Sequence, residues 1–98
     1  MAYLVFCTFD LKNASSQDYQ NAYSDLASLG LLKVQSSQSG SNVVIPTTAV
    51  MGFLDGANAV ALRTRIEEGV KAKFTARRFS SEIFIVPGND WAWSASTT

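Results

Sequence analysis

Residues 2–9, Ala-Tyr-Leu-Val-Phe-Cys-Thr-Phe, form an almost wholly apolar run that leads straight into Asp10. Read as a strand, the run puts Tyr3, Val5, Cys7 and Phe9 on one face and Leu4, Phe6, Thr8 and Asp10 on the other. A strand on the flank of a core alternates apolar with polar. One that is apolar on both faces needs cover from both sides, which places it in the middle of its sheet. The acid at its carboxyl end then lies at the rim of that sheet, where open α/β sheets place their ligands. Asp10 is therefore the leading candidate for a functional residue.

The remaining pattern supplies two helices and further strands. Ser15 and Asp18 fit a capping box, Gly30 marks a stop, and Tyr19, Ala22, Tyr23, Leu26 and Leu29 make one apolar stripe between them. Residues 31–35 read as an edge strand, and the Ser- and Gln-rich run 36–42 as a hairpin loop of mobile composition. Residues 42–54 read as a second strong strand, with Pro46 marking a bulge or a true start near Thr47. Asp55-Gly56 turns the chain into a helix over 58–73, whose stripe is Ala59, Leu62, Ile66, Val70 and Phe74. A last strand over 81–86 is closed by Pro87-Gly88, ahead of the aromatic tail Trp91-Ala92-Trp93.

This order, β-α-β-β-α-β, is that of the ferredoxin-like α+β sandwich. It predicts a four-stranded antiparallel sheet, first and third strands central, with both helices on one face. The length of 98 residues suits one domain, expected over residues 1–93, with 94–98 as a frayed tail. Nothing in the chain is left to cover the second face of the sheet. A hydrophobic fraction of 47% against 16% charged residues adds to that excess of apolar surface, and a symmetric dimer packed through the sheet face is the expected remedy. Trp91 and Trp93 could extend the partner's sheet or cap it.

Charge and residue usage remove several function classes. Eight Lys/Arg balance eight Asp/Glu, so the molecule is not a uniformly basic nucleic-acid binder. With no histidine, Ser–His and Cys–His nucleophile pairs and His-ligated zinc are excluded. The single cysteine cannot form an intramolecular disulfide, and Cys7 reads as a small core residue. No leader pattern and no apolar run near the ~18 residues of a membrane span occur, so a cytoplasmic protein is expected. Gly52 and Gly56 are too sparse for a phosphate-cradling loop.

Two constellations carry chemistry. Asp10 either caps its strand or, doubled across a two-fold axis, forms a carboxylate pair able to hold Mg²⁺ or Mn²⁺ and activate water. Thr8, Thr47 and Thr48 are ordinary strand residues or line its surroundings, and Lys12 and Asn13 are a solvated loop or a phosphate contact. Lys71, Lys73, Arg77 and Arg78 either complement a helix dipole or, with Arg63 and Arg65, make a patch for RNA or DNA.

Several segments carry a likeness to a known family. These are the apolar strand ending in Asp (residues 3–10), Leu29-Gly30, Leu32-Lys33-Val34-Gln35-Ser36, Ile45-Pro46-Thr47-Thr48-Ala49-Val50, and Phe84-Ile85-Val86 followed by Trp91-Ala92-Trp93. In this pattern the chain resembles the small CRISPR-associated dimeric endonucleases and their VapD and SinR-like relatives. The resemblance implies a homodimer in which Asp10 binds a divalent metal for phosphodiester cleavage. It departs from the family at Phe9, where a tyrosine is usual, and in residues 35–42, which lack the aromatic-acidic continuation. Many members serve as structural dimers, so a non-enzymatic scaffold or small-ligand module is the alternative expectation.

Overall fold

The computed structural model describes residues 2–36 and 40–98. Its elements are β1 (Ala2–Leu11), α1 (Ser16–Ser28), β2 (Val34–Ser36), β3 (Asn42–Val44), β4 (Ala49–Asp55), α2 (Ala59–Ala76) and β5 (Ser81–Gly88). They build an α+β domain with a three-stranded antiparallel sheet, in the order β4-β1-β5, and a separate β2-β3 hairpin. β1 is central, as its two apolar faces require. It runs two residues beyond the expected end, which puts Asp10 inside the ladder, opposite Glu82.

The expected four-stranded sheet does not form. The run read as one strand over 42–54 breaks between Val44 and Ala49, where Pro46 lacks a ladder donor and Thr48 adopts a left-handed backbone with φ 67°. β3 therefore turns away with β2, and β4 alone joins β1. What remains of a fourth strand is one bridge, Leu32 to Met51, with paired backbone bonds of 2.8 and 2.9 Å. β4 is consequently not the second fully paired central strand that the sequence suggests. β2 and β3 pair as the two arms of the hairpin expected around 36–42, and residues 37–39 of that expected mobile loop lie outside the described residues. β5 in turn continues through Pro87-Gly88, because an outer strand tolerates a proline whose missing N–H faces away from the ladder.

Both helices start and stop for local reasons. Ser15 and Asp18 close a reciprocal capping box on α1, and Asn58 caps α2 through the Ala61 N–H. α1 ends in paired bonds from Leu31 N–H to the Leu26 carbonyl and from Gly30 N–H to the Ala27 carbonyl, with Gly30 at φ 88°. α2 repeats the device with Phe79 to Phe74 and Arg78 to Thr75, placing Arg78 at φ 62° where glycine is usual.

The helices cover one face of the sheet. Tyr3, Val5, Cys7, Phe9 and Leu11 of β1 are buried with Ala22 and Leu26 of α1 and Leu62, Ile66, Val70 and Phe74 of α2. The other face is open. Leu4, Phe6 and Thr8 are half-buried there, and their neighbours in register include Phe53 and Phe84, the latter 61% exposed. Leu32, Val86 and Trp91 are exposed as well, and the Trp91 ring lies 5.0 Å from that of Phe53.

Where α1 leaves the sheet, its last turn passes directly over β4. A Cβ at Gly52 would run into the Gly30 carbonyl, a backbone group that cannot swing aside. Gly52→Ala should therefore destabilise the fold by about 1–3 kcal/mol, the usual range for overpacking, read as a lower urea midpoint at an unchanged m-value.

Candidate functional site

Asp10 stands one residue from the end of β1 on the open face, exposed to solvent. Its Oδ1 lies 3.2 Å from the Tyr19 hydroxyl, which α1 brings over the strand end. The same hydroxyl is 3.2 Å from both the Leu11 N–H and the Leu11 carbonyl, so this phenol ties the end of β1 to α1. Directly opposite Asp10 is Glu82. Like charges facing each other across strands repel, and here the Lys12 ammonium offsets them by pairing with Glu82 at 3.2 Å. The chain therefore offers two facing carboxylates, one already engaged by a cation. Among the described residues no three Asp, Glu, Cys or His side chains converge as a metal cage. Mg²⁺ can be held by one or two carboxylates with water completing its shell, so the donor chemistry suits such an ion when a second chain adds its own carboxylate.

Of the expected basic patch, Arg77 is engaged within the chain. Arg77 makes a two-pronged bond to Asp25 of α1, at 2.6 and 2.9 Å, and this hydrogen bond raises its pKa further. Arg78 serves the left-handed exit of α2, and Arg65 donates to the Asp55 carbonyl at 2.9 Å. Lys71 is exposed and Lys73 half-buried on α2. The structure thus places Lys12 on Glu82, the residue opposite Asp10, and leaves Lys71, Lys73, Arg77 and Arg78 near the end of α2, with Arg77 neutralised.

Of the threonines, Thr8 donates to the Thr48 carbonyl at 2.9 Å, and Thr47 and Thr48 line a groove beside α1 rather than the Asp10 carboxylate. The groove holds about 380 Å³ between α1 and residues 44–48, with Tyr19, Tyr23 and Lys33 in its wall. Neither this groove nor the role of Glu82 was readable from the sequence. Tyr19 and Tyr23 carry only the signal of an apolar helical stripe, and Glu82 becomes a partner of Asp10 only once strand register is known.

No family model, curated protein or solved structure matches the chain. Among the described residues no helix is long and apolar enough to cross a membrane.

Cys7 is fully buried, and burial pushes its thiol up to about 11. It is a core residue and not a nucleophile. Because the folded value lies above the ordinary 9.0, its stabilising effect is complete below pH 9 and is lost as the pH rises through about 11. The native protein should leave a thiol-reactive disulfide reagent untouched at pH 8, and react with one equivalent after unfolding in urea.

Proposed function

We propose that the chain works as a homodimer joined through the open face of a ferredoxin-like sheet, and that this dimer binds or processes RNA or DNA around Asp10. One observation carries the reading: an uncovered apolar face, with Phe53, Phe84 and Val86 exposed on it, ends in the exposed carboxylate of Asp10. Patches of this kind mark interaction sites. A second copy is the occupant that supplies a matching apolar face, and a net charge of zero brings no overall repulsion between copies. If the two-fold axis passes near the end of β1, the two Asp10 carboxylates come together.

In that arrangement Asp10 from each chain would hold Mg²⁺ or Mn²⁺, as in the CRISPR-associated endonucleases that the sequence resembles. The ion would supply a water acidified enough to attack a phosphodiester. Around it, this chain's own residues act by position. Tyr19 fixes the Asp10 carboxylate, Lys12 neutralises Glu82, and Lys71, Lys73 and Arg78 are the cations left for phosphates away from the face. A second reading, a non-enzymatic dimeric scaffold, is favoured by the engagement of Lys12 with Glu82 and of Arg77 with Asp25, which removes two of the expected phosphate contacts.

Cleavage of short labelled RNA and DNA with Mg²⁺ or Mn²⁺ separates the two, with sedimentation run beside it. Asp10→Asn should stay folded and dimeric while metal-dependent cleavage disappears. A dimer that cleaves nothing as wild type would sink the nuclease and leave the scaffold. Phe84→Lys places a charge in the middle of the apolar face, and should shift the protein to a folded monomer whose thermal midpoint falls only by the lost association. A dimer that survives this substitution would locate the interface elsewhere.

A further inference from the structure

The groove beside α1 has features that neither the dimer face nor Asp10 requires. Its apolar wall is Tyr19, Tyr23, Val44 and Ile45, with Thr47 polar beside them and Lys33 carrying its charge. A second groove of about 330 Å³ adjoins it along α1 and shares Gln20, Tyr23 and Lys33. Among the described residues no acidic side chain lines either one, and Lys33 is the one formal charge between them. Its ammonium sits 4.4 Å above the Tyr23 ring, a cation–π contact that holds the nitrogen in place and uses none of its N–H bonds on an acceptor.

The Tyr23 hydroxyl adds a donor. It accepts the Thr48 N–H at 2.7 Å, so its own proton is left to give. That bond helps hold Thr48 at φ 67°, a costly conformation for a β-branched residue. The Thr48 carbonyl accepts from Phe9 N–H and from the Thr8 hydroxyl, both at 2.9 Å, and its own hydroxyl donates to the Thr47 carbonyl at 2.6 Å. Strain that is held by so many bonds is characteristic of ligand-binding segments, and here it forms the floor of the groove.

We infer that the two grooves form a nucleotide-binding cleft, with a phosphate at Lys33 and the Tyr23 hydroxyl and a base against Tyr19 and Ile45. A cation, an adjacent phenol donor, an apolar slot and no carboxylate match a ligand with one anionic group and one flat ring. The volume lies in the range of small-ligand sites. Lys33 stands between two open grooves, which lets a strand continue past the bound phosphate. The inference rests on and deepens the nucleic-acid reading above; Tyr19 is common to both, whereas Lys33, Tyr23 and Ile45 are used by the cleft alone.

The test is fluorescence anisotropy of labelled six-nucleotide oligothymidylate and oligoadenylate with the metal chelated, so that no cleavage intervenes. Titrations are run at several salt concentrations, and thymidine monophosphate serves as competitor. Lys33→Gln should weaken binding several-fold for both sequences and reduce the slope of log affinity against log salt by about 0.7, the share of one phosphate on a single strand. Lys33→Arg should keep both, which separates a charge contact from a loss of packing. Competition by the monophosphate at the affinity of the strand supports the cleft with a free nucleotide as occupant; much weaker competition supports it with a strand. Equal affinity of wild type and Lys33→Gln overturns the cleft, and does so even where Asp10-dependent cleavage persists. Failure of the wild type to bind either oligonucleotide or the monophosphate overturns it as well, and absence of cleavage beside that would take the nuclease reading with it.

Discussion

β1 buries one row of side chains, Tyr3 to Leu11, against both helices while the row behind it is left half-covered. The rest of the architecture answers to this division. The buried row explains the placing of α1 and α2 on a single face, and the other row explains why that sheet presents Phe53, Phe84 and Val86 to its surroundings. Apolar burial contributes about 25 cal/mol per Å², so a face of this kind remains a standing driving force for association. A charge-neutral chain opposes it less than a highly charged one would.

The elements that follow a single period were legible in the sequence. The stripes of α1 and α2 are set by side chains three and four apart, and their caps, Ser15, Asp18 and Asn58, act within one turn. Burial of Cys7 and the central position of β1 followed from alternation alone. What failed was non-local or conformational. Residues 42–54 read as one strand with a bulge at Pro46 or a start near Thr47, yet the backbone breaks from Val44 to Ala49 and turns left-handed at Thr48, and the break removes the fourth strand. Alternation records which face a residue would occupy, but not whether the chain stays extended between one residue and the next.

The candidate site divides in the same way. Asp10 was visible because its position depends on one strand. Its neighbours were not, since Glu82 reaches it through register and Tyr19 through the packing of α1 over the strand end. The cation cluster depends on packing in the same way. Four positive charges within eight residues look like one patch in one dimension, but Arg77 turns to Asp25, fifty-two residues away in the chain. Local charge density is a poor guide to surface potential wherever helices pack side by side.

Thr48 links β1 to the groove beside α1. A left-handed backbone at an L-residue costs about 1–2 kcal/mol, and at this residue the bonds to Phe9, Thr8 and Tyr23 offset it. Two of those partners lie on β1 immediately before Asp10, and the third is the wall of the groove on α1. Thr48 therefore fixes the spacing between β1, which carries Asp10, and the groove that holds Lys33. The break that destroyed the expected fourth strand is the same feature that makes the groove: a continuous strand over 42–54 would have carried Ile45 and Thr47 into the sheet and left α1 with no opposing wall.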